Sequence, residues 1–292
     1  MPERAAKVAT STRSSALLKR LRGSRAFVFD MDGTLVLGDK SNHGLNPLPG
    51  ALEITNLLTS RGVPFVLFTN GTARTPQQYV GMLRDVGFAL PDKGVMTPAS
   101  SAADHFQRCS YRRVLTLGGE GLDKPLRDAG IETVTPEGKP EVDAVLVGWF
   151  REFTMSALEA ACYAVWNGAK LYSCSQSLYF ATAQGKALGT SRAISAMIKD
   201  LTGARIHVIG KPALEALRCA ARQLGVRTRD LTVVGDDPAL EILMALRGGA
   251  LAVAVNTGIG VADSYARLPR KQRPHLNVQH VGELLSLYKG QR

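Results

Sequence analysis

Two carboxylates one residue apart, Asp30 and Asp32, close the apolar run Phe27-Val28-Phe29 and are followed at once by Gly33 and Thr34. Like charges this close repel, and each raises the pKa of the other. A divalent cation would neutralise them, and an oxygen-only donor set with no His/Cys partner points to a hard ion such as Mg²⁺. A plain Asp-Gly turn after a strand would use the same residues, with Asp32 merely capping it. Three further segments weigh against that simpler reading. Thr69, Asn70 and Gly71 end the run Phe65-Val66-Leu67-Phe68, and a hydroxyl with free N–H groups at a strand-to-helix turn suits a phosphate oxygen. Lys211 follows Ile206-His207-Val208-Ile209-Gly210 and precedes Pro212, at a strand end just before a helix. Asp236 and Asp237 end the run Leu231-Thr232-Val233-Val234-Gly235, with Glu241 one helical turn further on. Asp236 would serve as an N-cap for a helix begun by Pro238, or as a third strand-end carboxylate for a metal.

A strand as apolar as residues 27–29 should be buried on both faces. Its C-terminal edge then delivers both acids into the crevice where open α/β sheets bind ligands. Apolar runs of strand length alternate with helical patterns along the chain, which predicts a parallel sheet with crossover helices. From Arg112 a second α/β series begins, and the chain is expected to return to the first sheet at Ile206. The expected organisation is a basic, disordered tail over residues 1–24, a core domain over 25–110 and 206–292, and an inserted α/β domain over 111–205. The predicted fold class is α/β, with a doubly wound, Rossmann-like parallel-sheet core.

Asp30 with Asp32, then Thr69, Lys211 and Asp236, in that chain order, resemble the four motifs of the haloacid dehalogenase (HAD) superfamily. The long insert, and phrases such as Leu48-Pro49-Gly50-Ala51 and Val208-Ile209-Gly210-Lys211-Pro212, are similar to subfamily IIA, the p-nitrophenyl and nucleotide phosphatases with a type 2A α/β cap. The resemblance runs from about Arg25 to the C-terminus. It implies a Mg²⁺-dependent phosphatase for a small phosphorylated metabolite. Asp30 would be the nucleophile that becomes an aspartyl-phosphate, and Asp32 the acid and base that serves the leaving oxygen and then water. Thr69, with Asn70 and Gly71, would bind the phosphoryl oxygens, and Lys211 would offset the charge shared with Asp30. The metal would be held by Asp30, the Asp32 main-chain carbonyl and Asp236. An acid at position 32 favours phosphoryl transfer over dehalogenation.

Many members of that branch carry an aspartate where Glu241 stands, so Glu241 and the adjacent Asp237 are both candidates for one supporting role beside the metal or Lys211. The segment from Gly33 to Pro49 is longer than in those relatives and carries His43. Trp149, Phe150, Arg151 and Ser175 lie just beyond cap strands, where the family selects the leaving group. The aromatics would stack on a ring and Arg151 would pair with a second anion, or the aromatics would be cap core. The family also allows a homodimer through the cap. Two alternatives stay open from sequence: a phosphomutase or phosphotransferase of the same superfamily, and a non-catalytic binding protein acting through its basic tail.

The 292 residues, 45% hydrophobic and 21% charged, fit a soluble globule with a large core. The net charge of +11 is concentrated: residues 1–25 hold Arg4, Lys7, Arg13, Lys19, Arg20, Arg22 and Arg25 against Glu3, so they contribute +6 and the rest +5. No specific nucleic acid is expected as a partner, and the residual charge suits anionic substrates. No apolar run has signal-peptide or membrane-span length. Cys109, Cys162, Cys174 and Cys219 have no C-x-x-C spacing and read as reduced, buried thiols of a cytoplasmic protein; an organellar matrix is the alternative if the Arg/Ser-rich tail is a transit peptide. Gly118-Gly119-Glu120-Gly121 and the run Gly185 to Gly189 complete neither G-x-G-x-x-G nor a Walker sequence, so they read as turns and helix entries.

Overall fold

The computed structural model describes residues 15–38, 44–182, 185–259 and 262–290, so His43 and the first 14 residues of the tail lie outside it. Helix α1 covers residues 15–22. Strand β1 (Ala26–Asp30) is buried along its whole length and leads into a small antiparallel pair, β2 (Val36–Leu37) and β3 (Asn46–Pro47). Helix α2 (Ala51–Ser60), β4 (Phe65–Phe68), α3 (Pro76–Asp85), β5 (Val95–Met96) and α4 (Pro98–Arg108) follow. Next come β6 (Arg113–Leu117), α5 (Glu120–Asp128), β7 (Glu132–Val134), β8 (Ala144–Val147), α6 (Met155–Trp166) and β9 (Lys170–Ser173). The hairpin β10 (Tyr179–Thr182) and β11 (Gly185–Leu188) precedes α7 (Thr190–Thr202) and β12 (Ile206–Val208). Helix α8 (Leu214–Gln223), β13 (Leu231–Gly235), β14 (Leu251–Val255) and β15 (Leu276–Val278) carry the chain towards its end.

Six strands form one sheet in the order β15-β14-β13-β1-β4-β5, every neighbouring pair parallel. The chain leaves β1 on one side through β4 and arrives on its other side through β13, so the crevice at a topological switch point opens above Asp30. Alternation along β1 fills both faces: Phe27 and Phe29 join Ile54 and Tyr79 on one, Ala26 and Val28 join Leu217 and Met244 on the other. Thr75 and Gln78 cap α3 reciprocally with Pro76 in the first turn, which fixes where the chain turns away from the sheet end.

The second sheet is also parallel, in the order β12-β9-β8-β6-β7. It corrects the expected return to the core at Ile206 and shows a second contact for α4. Ile206–Val208 does not re-enter the core; it pairs with β9 as an edge strand, and its three half-buried residues suit an edge rather than a sheet centre. Helix α4, expected with the core, buries Ala99, Ala102 and Phe106 with Val114, Ala144 and Leu146 of the second sheet. The cap sheet therefore runs on through β12 to residue 208, and α4 lies between cap and core, since its other side is ion-paired to the 214–223 helix of the core through Asp104 with Arg222 and Arg108 with Glu215.

Within the described part of the tail, residues 15–22 depart from the expectation of disorder. Leu21 is fully buried in the core cluster and Leu17, one helical turn earlier, packs against it. Arg20 and Arg22 donate to Gly249 O at 2.6 Å and Leu287 O at 3.0 Å. Leu21→Ala should cost about 2–5 kcal/mol in a urea titration, whereas Lys19→Ala on the exposed side should stay within about 0.5 kcal/mol; equal midpoints for both would mean that α1 is not part of the core. Cys162, Cys174 and Cys219 are buried as expected, but Cys109, at the end of α4, is exposed. No helix among the described residues is long and apolar enough to cross a membrane.

Candidate active site

Four chain segments meet above the C-terminal end of β1. Asp30 is buried there. Lys211, from the turn after β12, is ion-paired through Nζ with Asp30 Oδ1 and donates to Glu241 Oε1 at 2.7 Å and Phe68 O at 2.8 Å. The second Asp30 oxygen accepts a 3.2 Å bond from Thr34 Oγ1. Asp236, just past β13, accepts from Ile259 N at 2.6 Å, and Asp30, Asp236 and Glu241 each offer a carboxylate oxygen within 4.8 Å of the others. Thr69 Oγ1 donates to Asp32 Oδ2 at 3.4 Å while accepting from Gly71 N at 3.0 Å.

Backbone closeness makes this convergence possible. A Cβ on Gly33, whose φ is +81°, would stand 2.9 Å from Asp236 Oδ2, and one on Gly258 would stand 1.9 Å from it. Only residues without a side chain let both loops approach that acid.

Lys211 is ion-paired with Asp30 and Glu241, and Asp236 and Asp32 lie beside them, so negative charge is in excess. Burial raises Asp30 and Glu241 above the usual carboxylate range. Asp236 is pushed up to about 9, by burial first and then by the charges of Asp30 and Glu241. Burial alone would lower Lys211, but the charges of Asp30 and Glu241 outweigh it and hold the ammonium above its ordinary value. Asp32 is open to solvent from the crevice, yet desolvation by the surrounding protein, opposed by Lys211 and the Thr69 bond, pushes its carboxyl up to about 6. Buried acids left with such an excess hold protons or a cation. Among the described residues the cluster contains carboxylates and neither His nor Cys. That donor chemistry fits a hard divalent ion such as Mg²⁺.

Comparison with known families agrees with this geometry from both sides of the cap. The model described as haloacid dehalogenase-like hydrolase matches residues 27–132, and a HAD-hydrolase-like model matches residues 208–284. The chain belongs to the haloacid dehalogenase-like hydrolases. It is 27% identical over 236 residues to the 5'-nucleotidase YutF of Bacillus subtilis, covering 80% of this chain and 88% of that protein. It is 28% identical over 240 residues to the acid sugar phosphatase of Staphylococcus aureus, covering 82% and 89%. Among solved structures, the 4-nitrophenylphosphatase of Thermotoga maritima superposes with a TM-score of 0.81 at 26% identity, over 92% of this chain and 99% of that one. NagD of E. coli gives 0.78 at 25% identity, over 89% and 98%.

In this hydrolase the two candidates for the supporting role part company. Glu241 holds Lys211 with one oxygen and accepts from Asp237 N at 3.2 Å with the other, whereas Asp237 caps the π-helical turn Pro238–Ile242 through a 2.7 Å bond from Ala239 N. Asn70, expected to bind phosphate with the N–H groups of its turn, has its side-chain amide turned to the Lys211 main chain. Of the cap residues, Phe150 packs, partly buried, against the cap core beside Phe153, the second of the two places expected for the aromatics. Arg151 is exposed. The Trp149 main-chain N–H donates to Thr72 Oγ1 at 2.8 Å, joining cap to core beside the Thr69 turn, and Ser175 donates to the Ser177 hydroxyl at 3.2 Å.

The hydrolase also uses groups the sequence reading passed over. Thr34 was visible in the run after Asp32 and its hydroxyl is the kind of group that steadies a carboxylate. Phe68 O and Ile259 N are main-chain atoms, and residue type carries no sign of them.

Proposed function

We propose that this hydrolase is a Mg²⁺-dependent phosphatase that hydrolyses a small phosphomonoester through an aspartyl-phosphate on Asp30. The observation that carries the reading is the contrast between the two acids that end β1. Asp30 is buried and held on both oxygens, by Lys211 and Thr34, as suits a nucleophile whose attack angle must be fixed. Asp32 is open to the crevice with a carboxyl pushed up to about 6, as suits a group that gives and takes protons near neutrality. The named relatives act on nucleotide, sugar and nitrophenyl phosphates, and a phosphomonoester is what these share.

Asp30, Asp236 and the Asp32 main-chain carbonyl would hold Mg²⁺, which when bound supplies positive charge to the acids and to the phosphoryl oxygens. A carboxylate oxygen of Asp30 forms a bond to phosphorus as the ester P–O bond breaks. Asp32 gives its proton to the departing oxygen, and the Lys211 ammonium offsets charge on the transferring group. The Thr69 hydroxyl and Gly71 N–H would receive a phosphoryl oxygen in exchange for their bonds to Asp32 and to each other. Asp32 then takes a proton from water, whose oxygen attacks phosphorus and frees both Asp30 and inorganic phosphate. Glu241 keeps Lys211 directed at Asp30.

The deciding experiment is phosphate release from sugar phosphates, nucleotides, phosphoglycolate, glycerol phosphate and pyridoxal phosphate, with Mg²⁺ and with chelator. Release from none of them would end the proposal, and product formation that requires an acceptor alcohol would turn it into a phosphotransferase. The proton inventory gives a second expectation. Turnover of alkyl phosphates should decline above about pH 6 as Asp32 loses its proton, whereas p-nitrophenyl phosphate, whose leaving group needs no acid, should decline less. Asp32→Asn should slow alkyl esters by about 10²–10⁴-fold. Identical pH profiles for the two ester classes would remove Asp32 from the acid role.

A further inference from the structure

We infer that Asn70 is a positioning residue that sets Lys211, and that its side chain joins the edge strand of the cap to the catalytic centre. The role of Lys211 in this inference rests on the phosphatase reading; the contact itself does not. Both ends of the Asn70 amide meet the main chain of one residue: Lys211 N donates to Asn70 Oδ1 at 3.0 Å, and Asn70 Nδ2 donates to Lys211 O at 3.1 Å. A side-chain amide offers a donor and an acceptor side by side, as a peptide group does. It therefore imitates a neighbouring strand.

Such a substitute is needed at this point in the chain. β12 pairs with β9 as far as Val208 opposite Ser173, and Ile209 N still donates to Ser173 O at 3.0 Å. Past Ile209 the cap ladder ends, and Asn70, from the core, takes up the pairing at Lys211. Gly210 is the residue between the two regimes. A Cβ there would lie 2.2 Å from Cys174 O and 2.8 Å from Asn70 Oδ1, so only glycine lets the segment pass between cap and core.

The consequence for chemistry follows from the length of a lysine side chain. Nζ must meet Asp30, Glu241 and Phe68 O together, and a flexible four-carbon stem does that only when its backbone end is fixed. Thr69 contacts Asp32 while Asn70 fixes Lys211. Two adjacent residues after β4 thus set both the proton donor and the cation.

The test is a double-mutant cycle of Asn70→Ala with Lys211→Ala, read as kcat and KM for p-nitrophenyl phosphate and as the affinity of the Mg²⁺-loaded protein for inorganic phosphate by calorimetry. Asn70→Ala should lower kcat by about 30- to 100-fold, the scale of an ångström-sized misplacement, with KM within about twofold. In the Lys211→Ala background the same change should alter kcat and phosphate affinity by less than about twofold, because the partner is gone. Asn70→Asp, which keeps the acceptor for Lys211 N but loses the donor for Lys211 O, should fall between wild type and Asn70→Ala and stands in if the alanine variant does not fold. A full loss repeated in the Lys211→Ala background, or phosphate affinity weakened there, would make Asn70 a direct phosphate ligand and overturn the inference. A wild-type protein that binds phosphate but releases none from esters would count against the phosphatase reading alone, and the calorimetric arm would still decide the role of Asn70.

Discussion

Asp30→Asn should lower phosphate release by about 10⁴-fold or more, the scale on which enzymes lose turnover when a covalent nucleophile is removed, while the protein keeps or raises its melting temperature in metal-free buffer. The first half follows from the position of Asp30 as the acid at the end of β1 held on both oxygens. The second half follows from burial, which holds this carboxyl above its usual range: replacing it with a neutral amide removes a charge that the folded state tolerates poorly. The asparagine oxygen still accepts from Lys211, its amide nitrogen can donate to the Thr34 hydroxyl once that hydroxyl rotates, and Glu241 remains to balance the ammonium. Steady-state phosphate release with a melting curve on the same sample measures both. Turnover within tenfold of wild type would mean that some other group attacks phosphorus.

Metal-free protein should melt at a lower temperature as pH rises from 7 to 9, and Mg²⁺ should reverse that trend. Asp236 has a folded pKa pushed up to about 9, and Asp30 and Glu241 are raised as well, against unfolded values near 4. The folded state therefore binds more protons than the unfolded chain above about pH 4, which makes the slope of stability with pH negative until the folded groups titrate. His105 and His207, held below their usual range by burial, act with the opposite sign, but their contribution is complete by about pH 7. The Cys174 thiol, pushed up by burial, adds to the decline only above about pH 8. Mg²⁺ requires ionised ligands and the assembled site, so it should raise the melting temperature more at pH 9 than at pH 7. Asp236→Asn should flatten the metal-free decline, abolish the Mg²⁺ shift and lower turnover by at least about 10²-fold. A Mg²⁺ shift that survives in this variant would place the ion elsewhere.

How much of this was legible beforehand depended on which atoms do the work. β1, β4 and β13 are apolar on both faces and end in Asp30, Phe68 next to Thr69, and Gly235 next to Asp236, so pattern and residue type together predicted both the sheet and the acids it presents. Lys211 was found for a reason that proved incomplete. Its strand was readable, but Ile206–Val208 joins the cap sheet, because strand pairing is decided by long-range neighbours that three residues do not encode. α4 was assigned to the core for the same reason: its apolar stripe says that it is covered, and not by which sheet. The tail misled through composition, since many cations around Leu17 and Leu21 obscured one helical turn that docks. Asn70 was expected to bind phosphate as part of a turn with free N–H groups; nothing in its residue type foretold that its side chain pairs with a main chain 141 positions away.

The sheet membership of β12 bears on how such enzymes can be re-engineered. A graft that exchanged the cap of this hydrolase as a self-contained cassette would have to cut between β12 and Lys211, across Ile209 and Gly210, where ladder and turn are continuous. Chimeras should therefore carry the lysine segment and its Asn70 counterpart from the same parent. Selectivity and catalytic charge are inherited together here, and a new leaving-group preference is best sought by changing loops within the native cap.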